Sequence, residues 1–197
     1  TCVQQSVMNF GILMIQGLVN SFGTAVMAAF AAAVKIDSFA YMPVQDFGNA
    51  FSTFIAQNYG AGKNDRVRKG YKAALWTVGV WGVLISLAFI CFPNAIADIF
   101  FHEPKAIETA VGYLVIIGFS EAFMCVELTT VGALSGLGRT RLCSIISITF
   151  TSARIPLAII LGGIIGLSGI WWALSATSIV KGIIFTCTFL WITRKRG

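Results

Sequence analysis

No charged side chain occurs between Trp76 and Phe92, and apolar runs of this kind recur along most of the sequence. Water cannot solvate so many such runs in one ordinary globule. Charged residues make up 11% of the chain, against about 25% in a soluble domain. The natural solvent is therefore lipid. In lipid the chain itself must satisfy every backbone polar group, which leaves helices and closed barrels. Barrel strands alternate apolar and polar residues over roughly ten positions. The 76–92 run does not alternate. The expected fold class is thus all-α, a polytopic membrane bundle.

A spanning helix uses about 20 mostly apolar residues. That ruler gives six spans, at 3–20, 24–58, 67–92, 105–135, 139–161 and 170–193, forming one lobe. Asn20-Ser21-Phe22-Gly23, Gly60-Ala61-Gly62, Gly136-Leu137-Gly138 and the Gly-rich segment 162–169 supply turns. Pro93 ends the third span and Pro104 opens the fourth. Residues 94–101 between them read as a short amphipathic segment lying at the interface. The second span would be ~50 Å long, beyond the ~30 Å hydrocarbon core, and Pro43 should kink it.

Charge sets the orientation. Lys63, Arg66, Arg68, Lys69 and Lys72, then Arg139 and Arg141, then Arg194-Lys195-Arg196 occupy alternate connections. The opposite connections hold only Lys105, beside Asp98, Glu103 and Glu108. The positive-inside rule makes the basic set cytoplasmic, and six spans then put both termini inside. The net charge of +6 is accordingly a topology signal and not a nucleic-acid surface.

Cysteines 2, 91, 125, 143 and 187 lie in or beside apolar runs without a Cys-x-x-Cys pair, as reduced thiols do. His102 has only Glu103 beside it, too few ligands for a metal. No Ser-His-Asp or Cys-His arrangement is present, so an enzyme is not expected. The sequence opens on Thr1 without a signal-peptide pattern, as expected of a piece of a longer protein.

Ionisable residues at membrane depth are costly and default to a functional role. Counting from the basic ends of the helices places Asp46 ~18 Å deep, Glu121 ~21 Å, Arg154 ~20 Å and Lys181 ~18 Å, with Glu127 at ~12 Å. Two acids and two bases are thus expected near one plane. Asp46, Asn49, Thr53 and Gln57 follow helical steps along one face, flanked by Gln45 and Ser52, and should line a cavity or a helix interface. Glu121 with Arg154, and Asp46 with Lys181, could equally be buried pairs that fix helix register. Glu127 has no partner matched in depth, and it shares a face with Ser120 and Thr130. It is the better candidate for a carboxylate that titrates during a functional cycle. Lys35 and Asp37 read as interfacial.

Several motifs add a family likeness. Asn20-Ser21-Phe22-Gly23, the Ala-rich stretch from Val26 to Ala33, and Ala56-Gln57-Asn58-Tyr59-Gly60-Ala61-Gly62 with Arg66 resemble the seventh and eighth helices of multidrug and toxic compound extrusion (MATE) transporters. Ala133-Leu134-Ser135-Gly136-Leu137-Gly138-Arg139-Thr140 resembles the turn after that family's tenth helix. Arg154-Ile155-Pro156 and Gly166-Leu167-Ser168-Gly169-Ile170-Trp171 resemble its last two. The resemblance implies the C-terminal half, helices 7–12, of a twelve-helix transporter in the plasma membrane.

It further implies exchange of Na⁺ or H⁺ for amphiphilic, often cationic, drugs or metabolites by alternating access. No cofactor beyond the coupling ion is implied, and the partners would be the lipid bilayer and a missing N-terminal lobe or second copy. Asp46, Glu121 and Glu127 are the candidates for ion coupling. Gln45, Asn49, Thr53, Gln57, Arg154 and Lys181 are the candidates for the cavity or its polar network. Some members carry an acid on the seventh helix, where this chain has only Gln4, Gln5, Asn9, Gln16 and Asn20. Glu121 and Glu127 each stand about one turn from the tenth-helix acid of some members. A flippase of related fold for lipid-linked sugars, or a truncated fragment that does not transport, are the alternatives.

Overall fold

A computed structural model describes residues 2–194, apart from the side chains of 2–5, 7 and 8. The side chains of Cys2, Gln4 and Gln5, and the whole of Lys195 and Arg196, therefore lie outside the described residues. The described chain is helical nearly throughout: α1 Cys2–Asn20, α2 Thr24–Gly60, α3 Asn64–Cys91, α4 Pro93–Phe100, α5 Pro104–Gly136, α6 Thr140–Ile165 and α7 Leu167–Arg194. Five of them (α2, α3, α5, α6 and α7) are long and apolar enough to cross a membrane. The first expected span, α1, includes side chains that lie outside the described residues, and that count does not cover it.

The breaks fall where the turn chemistry puts them, with one exception. At Gly62 the amide donates to the Tyr59 carbonyl and that of Lys63 to Asn58. Gly138 and Arg139 repeat the pattern onto Ser135 and Leu134. Both glycines have positive φ, 71° and 74°. This is the bonding of a Schellman cap, in which a left-handed glycine satisfies the last helical carbonyls. The exception is the expected turn over 162–169. Gly162 and Gly163 stay helical, and the chain reverses at Gly166 alone. Pro43 lies inside a continuous α2, and Trp81 Nε1 donates to the nearby Ala40 carbonyl at 3.2 Å. Pro43 has no N–H for the Phe39 carbonyl four residues back, and the indole bonds the carbonyl next to it.

α5 is the hub. It packs on α2, α3 and α7, while α6 packs on α7 and α1. The α2–α5 crossing is close because Gly48 faces Gly132: a Cβ on Gly132 would run into the Gly48 carbonyl. Small residues let two backbones approach this way within a membrane. One apolar cluster, including Phe30, Tyr113 and Trp171, fills the end of the bundle near the α1–α2 turn. Another, around Ile55, Tyr71, Leu134, Phe185 and Phe189, fills the end that carries the basic turns. Between them the polar side chains collect.

Candidate functional site

Two separate polar centres flank α5, on two of its faces. The first joins α5 to α2. Glu121 is fully buried, and neither of its carboxyl oxygens has a donor among the described residues. It faces the carboxyl group of Asp37, itself 6% exposed. Tyr113 Oη donates to Asp37 Oδ2 at 3.2 Å, and Asp37 Oδ1 has no donor among the described residues. Tyr113 stands about two turns before Glu121 on α5, which brings it to the same face. Two carboxylates in contact and out of water repel strongly. The pair is stable with a cation between the groups, either a proton or a metal ion.

The second centre joins α5 to α7 and α6. Lys181 Nζ lies 2.6 Å from Glu127 Oε1, with both side chains buried. Arg154 reaches across from α6, its Nε donating to Thr177 Oγ1 at 2.8 Å and its Nη2 to Ser178 Oγ at 3.2 Å. Thr177, Ser178 and Lys181 follow helical spacing and share a face of α7. Thr130, one turn beyond Glu127, hydrogen-bonds Tyr71 at 2.8 Å, which ties α3 into the same region.

The expected single plane of charges is therefore wrong in its pairings. Glu121 meets Asp37 and not Arg154. Glu127 does have a partner, Lys181, the residue expected beside Asp46. Counting residues gives depth but not direction around the helix. Glu121 and Glu127 are six residues apart, about a third of a turn off alignment, so one faces α2 and the other α7. Asp37 is buried and not interfacial. It sits thirteen residues into α2, ~20 Å from its start, and that depth was the signal for its role. Tyr113, Thr177 and Ser178 were missed because neutral polar residues are common in such helices.

Asp46 and the stripe of Gln45, Asn49, Thr53 and Gln57 form a third feature. All five are exposed, on the side of α2 turned away from the bundle. Nothing among the described residues covers them. Charged and amide side chains are not left against acyl chains, so this face belongs to water or to further protein.

Residues 1–160 match the family model MatE. Over 96% of the chain it is 26% identical to a probable multidrug resistance protein NorM of Thermotoga maritima, of which it covers 42%. It is 25% identical over 83% of its length to an FAD transporter of Shewanella oneidensis, covering 36% of that protein. The chain thus spans less than half the length of these relatives. Its fold matches the bent form of the Vibrio cholerae MATE transporter VcmN with a TM-score of 0.86 at 21% identity, covering 98% of this chain and 44% of that one. A transporter of the MOP superfamily from Pyrococcus furiosus gives 0.87 at 19% identity, with the same coverage. Taken with the buried polar centres in an apolar helical bundle, these matches place the chain in the MATE family of multi-pass membrane transporters, which are not enzymes.

Proposed function

We propose that the chain is one six-helix lobe, helices 7–12, of an ion-coupled antiporter that exports amphiphilic small molecules. In this reading α1 also crosses the membrane, and the basic end, with both termini, is cytoplasmic. The observation that carries coupling is Glu121. A buried carboxyl group facing a second one, with both oxygens lacking donors, is built to hold and release a cation. H⁺ and Na⁺ both suit that chemistry. Glu127, the other tenth-helix candidate, is tied to Lys181 and belongs to the polar network instead. Asp46 belongs to the exposed stripe.

That stripe supports the two-lobe arrangement. Asp46, Asn49, Thr53 and Gln57 would face a cavity shared with an N-terminal lobe or a second copy. Rocking of the two bodies would expose the cavity to each side in turn. Cargo would lie against the stripe on the outward leg, and the cation would occupy Asp37 and Glu121 on the return.

The test is uptake of a fluorescent zwitterionic amphiphile into vesicles carrying the protein together with its complementary half, under an imposed H⁺ or Na⁺ gradient. Glu121→Gln and Asp37→Asn are each expected to reduce gradient-driven uptake at least about tenfold, by analogy with the loss of an essential charged group. Uptake at the unaltered rate in both variants would refute the assignment.

A further inference from the structure

The charges where α5, α6 and α7 meet do not cancel. Lys181 is matched by Glu127 at 2.6 Å. Arg154 is bonded only to hydroxyl groups, those of Thr177 and Ser178, among the described residues. Thr177 in turn directs its own proton to the carbonyls of Ala173 and Leu174. Glu127 attracts Arg154 as well as Lys181, so one negative charge serves two positive ones. A guanidinium at this depth is costly unless an anion or water meets it.

Its geometry says which anion. A guanidinium carries five N–H donors in a planar fork. Two are engaged here, one on Nε and one on Nη2. The remaining donors suit the paired oxygens of a phosphate or carboxylate group. Arg154 keeps part of its surface exposed, in contrast to Lys181 and Glu127. Its own helix is polar on that side: Ser144, Ser147, Thr151 and Arg154 step along one face of α6, with Ser147 and Thr151 buried.

We propose that Arg154, with Lys181 beside it, forms an anion subsite that takes a phosphate or carboxylate group of the transported molecule. The subsite rests on the transporter reading and narrows its cargo to amphiphiles bearing an anionic group. Lys181 is a positioning residue: while Glu127 holds it, Arg154 carries the unmatched charge. An anionic lipid headgroup offers the same chemistry, and the experiment separates the two sources.

That experiment is equilibrium binding to the purified chain in uncharged detergent. It needs no ion gradient, so it stands or falls apart from coupling at Glu121. Naphthyl phosphate is the probe and uncharged naphthol the control, both read by tryptophan fluorescence quenching. Arg154→Gln is expected to weaken naphthyl phosphate about tenfold and to leave naphthol unchanged, the scale of one charge-assisted hydrogen bond. Arg154→Lys should restore part of the loss. Glu127→Gln, which frees Lys181, should tighten phosphate binding.

Unchanged phosphate binding in Arg154→Gln, or equal losses for the two probes, overturns the proposal. If that variant does not fold, inorganic phosphate must displace naphthyl phosphate but not naphthol from the unaltered chain, and failure to displace it is equally fatal. Displacement by equimolar phosphatidylglycerol would assign the subsite to a lipid headgroup and overturn the cargo assignment.

Discussion

Asp37 and Asp46 stand nine residues apart on α2, two and a half turns, so their carboxyl groups point to opposite sides of the helix. Asp37 turns inward against Glu121 and receives the Tyr113 hydroxyl. Asp46 turns outward onto an uncovered polar face. One helix thereby serves both a buried carboxyl pair and a surface that other protein or water must meet.

The closed site sets function against stability. Glu121→Gln removes one of two like charges in contact, in a place where no donor stabilises either Glu121 oxygen. The variant is expected to melt at or above the temperature of the unaltered protein while losing ion-driven transport, the usual trade at a strained site. Melting and gradient-driven uptake measured on the same preparation check this. A lower melting temperature with uptake intact would contradict it.

The Lys181–Glu127 pair should behave in the opposite way. Lys181→Met removes the cation in contact with a buried carboxylate and leaves it only the longer-range attraction of Arg154; a broken buried pair costs about 3–5 kcal/mol. Lys181→Met combined with Glu127→Leu removes both charges and should recover most of that loss. A double-mutant cycle of unfolding in mixed micelles measures the coupling. Additive single losses would show that the pair contributes nothing of its own.

Backbone proximity gives a further contrast within α5. Gly132→Ala drives a methyl group into the Gly48 carbonyl, and forcing α2 and α5 apart is expected to cost about 1–3 kcal/mol. Gly112 lies on the same helix, where an added Cβ would meet nothing within 4 Å. Gly112→Ala should therefore be neutral or stabilising by up to about 1 kcal/mol. Unfolding midpoints of the two variants decide the matter, and equal shifts would argue against the close crossing.

Topology can be read by labelling. In a background without native cysteines, Lys63→Cys is expected to react with an impermeant maleimide only after cells are opened, and His102→Cys to react on intact cells. The basic turns then lie on the cytoplasmic side. The reverse pattern would invert the proposed orientation.

The sequence by itself determined the helical class, most of the long apolar segments and nearly every break, because hydropathy, proline and glycine act locally. The cap at Gly62 and the start at Pro104 needed no tertiary information. It also identified Glu121, Glu127, Arg154 and Lys181 as charges too deep to be incidental. Only the tertiary structure decided which of them meet. Pairing depends on the direction in which each side chain leaves its helix and on which helix stands there. A rise of 1.5 Å per residue fixes height but leaves that angle free until α5 is packed against its neighbours. The same packing turned Asp37 inward and left Asp46 outside, on a helix whose sequence marks both with the same carboxylate.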